Sequence, residues 1–126
     1  MLYSDTIMEA EKLGKWLQAV RVDAELKLPG LWQPELILDA LLDGIPANEW
    51  RGKRVLDIGA CNGGLSIELA RLGADVHGVE PNPVARRQFE FAFRLIREKE
   101  DLRIRFEDRS LFSIDRSEKY DIVLFL

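Results

Sequence analysis

Residues 54 to 83 carry the sequence RVLDIGACNGGLSIELARLGADVHGVEPNP, which predicts one strand–loop–helix–strand unit. Its first part, Val55 to Ile58, is a short apolar run interrupted by a single acid, Asp57. Such a run is typical of a strand buried on both faces of a parallel sheet. The glycines that follow give a loop that can adopt positive φ and let a ligand approach the backbone. The unit therefore favours an α/β fold.

The second half of the unit predicts a helix and another strand. Apolar residues recur at helical spacing from Leu65 to Leu72, and Gly73 is placed to end that helix. The run from Ala74 to Glu80 then predicts a second strand, which brings the acid Glu80 to its carboxyl end. Ligands of open α/β sheets bind at the carboxyl ends of the strands, so Glu80 and the glycine loop are expected to share one site.

Two ligand classes use such a unit. A dinucleotide site requires Gly-x-Gly-x-x-Gly, with an acid about 20 residues further on for the ribose. This chain has Gly59, Cys61 and Gly64 at those positions, and Glu80 lies at the expected distance. A cysteine side chain stands where a pyrophosphate needs bare backbone, and Asp57 would repel a phosphate. A ligand that carries an ammonium and a sulfonium, and no phosphate, removes both objections.

The run from Val55 to Gly63, VLDIGACNG, resembles motif I of the class I S-adenosylmethionine (SAM) dependent methyltransferases. Glu80 resembles their ribose-binding acid. The similarity extends from about Trp50 to Leu126, and Cys61 departs from it by replacing the usual middle glycine. A narrower similarity, to the tRNA wobble-uridine modifying branch, rests on the IGACNG loop alone. The resemblance implies a Rossmann-like three-layer sandwich and an enzyme with SAM as its cofactor.

The resemblance also implies which residues bind that cofactor. Asp57 and the glycine loop would hold the methionine end, and Glu80 would accept hydrogen bonds from the ribose hydroxyls. The adenine would meet the loop after the third strand, where Asp108 is the first choice and Ser110 the alternative. The expected cofactor-binding residues are Asp57, Gly59, Ala60, Cys61, Asn62, Gly63, Glu80, Pro81, Asn82, Asp108, Arg109 and Ser110.

No catalytic residue is predicted. His77, the only histidine, falls in the middle of a strand, which favours a structural imidazole over a general base. Cys61 precedes a helix, where the pKa of a thiol can fall, but no histidine neighbours it in the sequence to act as its base. No group of His, Cys and Asp has the spacing of metal ligands, so a metal is not implied.

The segment before this unit is expected to be helical. Apolar residues from Asp5 to about Lys27 keep helical spacing and predict one long amphipathic helix. The sequence Leu28-Pro29-Gly30 would end it, and a second helix is expected from Pro34 to about Gly44. Residues 1–46 are therefore expected to pack on, or cap, a SAM-binding domain formed by residues 47–126.

The segment after Glu80 predicts one helix and two strands. Asn82 would cap a locally basic helix that runs from Pro83 to about Lys99. The run from Leu102 to Phe106 alternates apolar and polar residues, as is typical of an outer strand. The run from Tyr120 to Leu126 is almost wholly apolar, as is typical of a central strand. The resemblance implies the sheet order 3-2-1-4 and then three further strands. The sequence is therefore expected to be a truncated domain, or to pair its apolar fourth strand with a second copy.

Composition narrows the function classes. The chain has 126 residues, of which 47% are hydrophobic and 32% charged, and these values indicate one globular domain. No membrane span or secretory signal is predicted, and a single cysteine gives no disulfide, so the cytoplasm is expected. A net charge of −4 argues against broad binding to nucleic acid but leaves room for a local basic face.

The predicted function is therefore methyl transfer from SAM to a small molecule. The alternatives are a methyltransferase that modifies tRNA or another RNA, and an inactive SAM-fold module for binding or dimerisation. An NAD-dependent oxidoreductase is less favoured, because of Cys61 and Asp57.

Overall fold

The computed structural model describes residues 3 to 126, apart from the side chain of Leu111. Four α-helices, six strands and two short 3-10 helices follow each other along these residues. Their bounds are α1 (Tyr3–Glu11), β1 (Val20–Arg21), β2 (Lys27–Leu28), α2 (Pro34–Gly44), a 3-10 helix (Ala47–Glu49), β3 (Arg54–Ile58), α3 (Gly64–Arg71), β4 (Asp75–Val79), α4 (Pro83–Ile96), β5 (Ile104–Glu107), a 3-10 helix (Leu111–Ser113) and β6 (Ile122–Phe125). No helix in this part of the chain is both long enough and apolar enough to cross a bilayer.

A parallel four-stranded sheet organises the fold, with the strand order β5-β4-β3-β6. This arrangement confirms the α/β class. It also confirms the order 3-2-1-4 that the resemblance implies, in which strands 1 to 4 are β3, β4, β5 and β6. Ile58 is the register partner of both Val79 and Phe125, so the carboxyl ends of the three strands β3, β4 and β6 lie level. The helices α3 and α4 form the crossovers between neighbouring parallel strands, as parallel pairing requires.

The helices pack on one face of this sheet. Val55, Val76 and Leu124 are buried on that face, in the same cluster as Leu65 and Leu69 of α3. Because side chains alternate along a strand, His77 and Val123 belong to the opposite face. Val123 is 56% exposed and Phe125 70% exposed, so β6 presents apolar side chains at the edge of the described sheet.

The prediction of one long N-terminal helix from Asp5 to about Lys27 is wrong. The helix ends at Glu11, Gly14 adopts a φ of +102°, and β1 and β2 form an antiparallel hairpin. The Asp23 side chain accepts hydrogen bonds from the backbone N–H groups of Glu25 and Leu26, at 2.8 and 2.7 Å, and so builds the turn. An aspartate that bonds its own downstream backbone favours a turn over a helix. The second helix is confirmed from Pro34 to Gly44.

Arg71, at the end of α3, fixes this hairpin to the domain. Its guanidinium donates to the backbone oxygens of Arg21 and Val22, at 2.8 and 3.0 Å. It also pairs with Glu68 at 2.7 Å and with Glu100 at 2.9 Å, while its side chain is only 8% exposed. A buried guanidinium with this many acceptors is well satisfied. The N-terminal segment is therefore attached to the same helix that follows the glycine loop.

Candidate functional site at the carboxyl edge of the sheet

The glycine loop leaves β3 and is fixed at once to the neighbouring strand. The backbone N–H groups of Gly59 and Ala60 both donate to the carbonyl oxygen of Val79, at 3.0 and 3.1 Å. Gly59 has a φ of +71°, and a Cβ added there would meet no atom within 4 Å. Bare backbone therefore faces open space at this edge. Cys61 is the only described residue other than glycine with a positive φ, at +57°.

Glu80 connects the two strand ends. One of its carboxylate oxygens accepts a hydrogen bond from the N–H of Cys61 at 2.8 Å, and the other accepts from the N–H of Asn82 at 3.1 Å. The carboxylate is therefore held against the glycine loop and has one defined orientation. Asn82 caps α4 with a side-chain bond to the N–H of Val84 at 2.9 Å, as its sequence position predicted, while Pro81 is exposed.

Asp57 lies beneath the loop with its side chain buried. The residue is 3% exposed, and Oγ of Ser66 donates to one of its carboxylate oxygens at 2.6 Å. Burial raises the pKa of Asp57 from 3.8 to about 6, against the lowering effect of the Ser66 hydrogen bond. The nearby charge of Glu80 makes a smaller contribution to this rise. The two acids give the loop a negative environment, which suits a cationic ligand and opposes a phosphate.

The loop after β5 adjoins the same edge, because the N–H of Glu80 donates to the carbonyl oxygen of Glu107 at 2.9 Å. Within this loop Asp108 pairs with Arg86 at 2.6 Å, and Arg109 pairs with Glu107 at 2.6 Å. The carbonyl oxygen of Ser110 accepts from the backbone of Ser113. The structure thus brings the three expected loops together, with the side chains of Asp108 and Arg109 already engaged in ion pairs.

Asn62 points away from the open edge. It is fully buried, and its side-chain amide exchanges two hydrogen bonds with the backbone of Gln18, at 3.0 and 2.8 Å. Its side chain is therefore not available to a ligand. Sequence reasoning missed Gln18, because that residue was assigned to the middle of a helix. The sequence offered no motif that would have identified it as part of this site.

Neither candidate for acid–base or nucleophilic chemistry is suited to that role. The thiol of Cys61 lies 3.3 Å from Oδ1 of Asn62, and burial raises its pKa, which disfavours the thiolate. His77 is buried, and its Nδ1 lies 2.5 Å from the Tyr120 hydroxyl and 3.0 Å from Arg105. Its Nε2 is 3.1 Å from Glu107 but lacks hydrogen-bond geometry. Burial and the charge of Arg105 lower the pKa of His77.

A separate cleft of about 640 Å³ lies where the strands begin. Its lining includes Asn48, Arg51, Lys53 and Asp121. Lys53 and Asp121 directly precede β3 and β6, so this cleft is at the end of the sheet opposite to the glycine loop. It contributes nothing to the candidate site.

Solved structures of methyltransferases resemble this chain, although no protein-family model and no curated protein matches it. One is a 16S rRNA N2 G1207 methyltransferase of T. thermophilus (RsmC), in complex with AdoMet and guanosine, with 27% identity and a TM-score of 0.63. The match covers 71% of this chain and 24% of that one.

Two further matches are more distant in sequence. Magnesium protoporphyrin IX methyltransferase (ChlM) of Synechocystis PCC 6803, with bound SAM, has 23% identity and a TM-score of 0.58, over 71% of this chain and 40% of that one. The N-terminal domain of EvdMO1, with SAH bound, has 19% identity and a TM-score of 0.68, over 98% of this chain and 53% of that one. The chain thus spans about a quarter to a half of the structures it matches.

Proposed function

From the class I SAM-dependent methyltransferase fold that these matches show, we propose that this chain is the cofactor-binding portion of a methyltransferase that acts on a small molecule. The observation that carries the proposal is the Glu80 carboxylate, which is held against the backbone of the glycine loop by the N–H of Cys61. This places two acceptor oxygens at the end of β4, where the ribose hydroxyls of a nucleoside would donate to them. Asp57 adds negative charge beneath the loop, to which the ammonium of the methionine end would be attracted.

The chemistry requires little from the protein beyond placement. Methyl transfer from a sulfonium is an in-line displacement at a carbon that is already activated, so orientation of donor and acceptor supplies most of the rate. The roles we propose are limited to binding. Residues 59–63 and Asp57 hold the methionine end, Glu80 to Asn82 hold the ribose, and Asp108 to Ser110 meet the adenine. Residues 47–126 would form this binding unit, and residues 1–46 would cap it.

Calorimetric titration of the chain with S-adenosylhomocysteine (SAH), beside NAD, tests the proposal. We expect SAH to bind and NAD to give no heat. Glu80→Gln and Asp57→Ala should each weaken SAH binding by about 1 to 3 kcal/mol, the worth of a lost charge-assisted bond. Glu98→Gln is the matched control, since Glu98 is an exposed acid at the end of the α4 region. Unchanged affinity in both site variants, with the fold intact, would overturn the placement of the ligand. NAD binding in place of SAH would favour the oxidoreductase.

An RNA acceptor is the second candidate, and an arginine stripe on α4 favours it. Arg87, Arg94 and Arg97 recur at helical spacing, are exposed, and form no ion pair among the described residues. Unpaired arginines on one face suit a phosphate backbone. The stripe predicts salt-dependent binding of single-stranded RNA that is lost when all three are changed to Gln. Binding that persists in this triple variant would remove the argument for RNA at α4.

A dimer through the edge strand is the remaining proposal. β6 pairs only with β3 among the described strands, and exposed apolar side chains lie along it. An unpaired apolar edge is a template for another strand, so we propose that Tyr120 to Leu126 pairs with a second copy. Sedimentation should then show a dimer that Val123→Lys dissociates. A clean monomer at high concentration would contradict this interface. A dimer that binds SAH but transfers no methyl group would favour the inactive module.

A further inference from the structure

The connection between β5 and β6, residues 108–121, is a long loop that leaves the sheet at the candidate site. Its middle bonds to itself, since Oγ of Ser113 donates to the carbonyl oxygen of Ser110 at 3.1 Å. Phe112, in the same stretch, is 94% exposed and does not tie the loop to the core. A loop with so few contacts in its middle takes its position from the points at which its ends are attached.

Arg105 of β5 contacts both ends of this loop. Its Nη2 donates to the carboxylate of Glu118 at 2.6 Å, near the end of the loop. Its Nε lies 3.4 Å from the carboxylate of Glu107, which pairs with Arg109 at 2.6 Å, at the start of the loop. These four side chains form one row of alternating charge. A planar guanidinium presents its N–H groups as a fork, so different nitrogens of Arg105 hold the two carboxylates at once.

The row of charges is also attached to the interior of the sheet. Arg105 is the register partner of His77 on β4, and its Nη2 lies 3.0 Å from Nδ1 of that buried imidazole. The hydroxyl of Tyr120, from the end of the loop, lies 2.5 Å from the same imidazole nitrogen and donates to Glu118 at 2.6 Å. One exposed ion pair contributes little by itself, whereas a connected network with one buried member has a defined geometry.

We propose that Arg105 is a positioning residue for the nucleobase end of the cofactor. The inference rests on the proposed function, in which residues 108–110 meet the adenine, and deepens it by assigning the position of that loop to a residue outside the loop. Glu107 is the junction. Its carbonyl oxygen accepts the hydrogen bond from the N–H of Glu80, the proposed ribose acceptor, while its carboxylate belongs to the row of charges. Without Arg105, Glu107 and Glu118 lose their shared partner and the two ends of the loop are no longer connected.

Calorimetric titration with two ligands tests this role: SAH, and S-ribosylhomocysteine, which is SAH without its adenine. Arg105→Gln should bind SAH about three- to tenfold more weakly than wild type, as expected for the loss of two ion pairs, and S-ribosylhomocysteine equally well. Weak binding of S-ribosylhomocysteine is measured by its competition with SAH. Arg105→Lys keeps one charge but cannot hold both carboxylates, so its SAH affinity should be intermediate. Arg103→Gln is the matched control, since Arg103 is an exposed arginine directly before the same strand.

An affinity for SAH that is the same in Arg105→Gln and wild type would overturn the proposal. An equal loss for both ligands would also overturn it, because Arg105 would then support the whole site and not the nucleobase end. The Arg105 side chain is 48% exposed, so the variants should fold, and thermal unfolding checks this. If Arg105→Gln does not fold, the two ligands are compared in Arg105→Lys and decide in the same way. Failure of the proposed function is seen separately, as a wild-type chain that binds neither ligand.

Discussion

Replacing Asp57 with Asn should stabilise the fold and weaken cofactor binding. Asp57 is a buried acid whose pKa is raised from 3.8 to about 6, chiefly by burial. The folded chain thus holds this proton up to about pH 6, whereas the unfolded chain releases it near pH 3.8. The free energy of unfolding therefore falls as the pH rises through this interval, and the loss persists at higher pH. Asn has the same shape and carries no charge to bury.

The magnitude follows from the width of that interval. Each tenfold change in proton affinity is worth about 1.4 kcal/mol, so a pKa near 6 corresponds to a loss of about 3 kcal/mol. The Asp57→Asn variant should exceed wild type in unfolding free energy by about 2 to 3 kcal/mol at pH 8 and match it near pH 4. Its affinity for SAH should nevertheless fall, because the negative charge beneath the glycine loop is gone.

Urea denaturation at pH 4, 6 and 8, followed by tryptophan fluorescence, measures this difference. Asp75→Asn is the matched control, since Asp75 is an exposed acid on the neighbouring strand β4 and should change little at any pH. A difference between Asp57→Asn and wild type that stays constant with pH would refute the reasoning, because a packing effect does not titrate. Wild type that is the more stable of the two at pH 8 would refute it as well.

Three further substitutions address other parts of the fold. Gly63→Ala should lower the unfolding free energy by about 1 to 3 kcal/mol, since its φ is +83° and a Cβ would lie 2.5 Å from the Phe89 ring. Gly44→Ala is the control in thermal unfolding, because a Cβ there would meet no atom within 4 Å. Arg71→Gln should lower the free energy of unfolding by about 3 kcal/mol, because it leaves the buried carbonyl groups of the hairpin without their donor. Arg94→Gln on the surface is the control and should lower it by less than about 0.5 kcal/mol, both measured by urea titration. His77→Gln should reduce the loss of unfolding free energy in acid. Burial lowers the pKa of His77 below 6.5, so its contribution to stability is present above about pH 6.5 and is lost as the pH falls. Equal acid sensitivity in variant and wild type would contradict this.

The strand–loop–helix–strand unit could be predicted because its signals are local. The glycines, the apolar runs and the acids Asp57 and Glu80 all fall within 30 consecutive residues, and the structure places the elements within a residue or two of their predicted ends. The cap that Asn82 provides for α4 was equally local. Short-range hydrogen bonds and buried strands leave patterns that a single sequence displays.

The N-terminal segment was mispredicted because two periodicities overlap in it. Trp16 and Val20 fit a helical stripe, but Val20 and Val22, and again Leu26 and Leu28, alternate as buried strand residues with Arg21 and Lys27 between them. The tertiary contacts decided in favour of the hairpin. Contacts between residues far apart in the chain, such as Gln18 with Leu65, leave no local pattern at all.

The side-chain oxygen of Gln18 caps α3 by accepting a hydrogen bond from the N–H of Leu65, and this contact joins two residues that are synthesised at different times. Gln18 leaves the ribosome before the glycine loop and Leu65 do. Its side chain therefore has no helix to cap until 47 further residues have been synthesised. Until the two meet, the first turn of α3 has no acceptor other than water, and the loop in front of it is unsupported. Closing a loop of this length costs conformational entropy, and this cost is offset only when the contact between Gln18 and Leu65 forms. We therefore expect the nascent chain to acquire its glycine loop late and all at once.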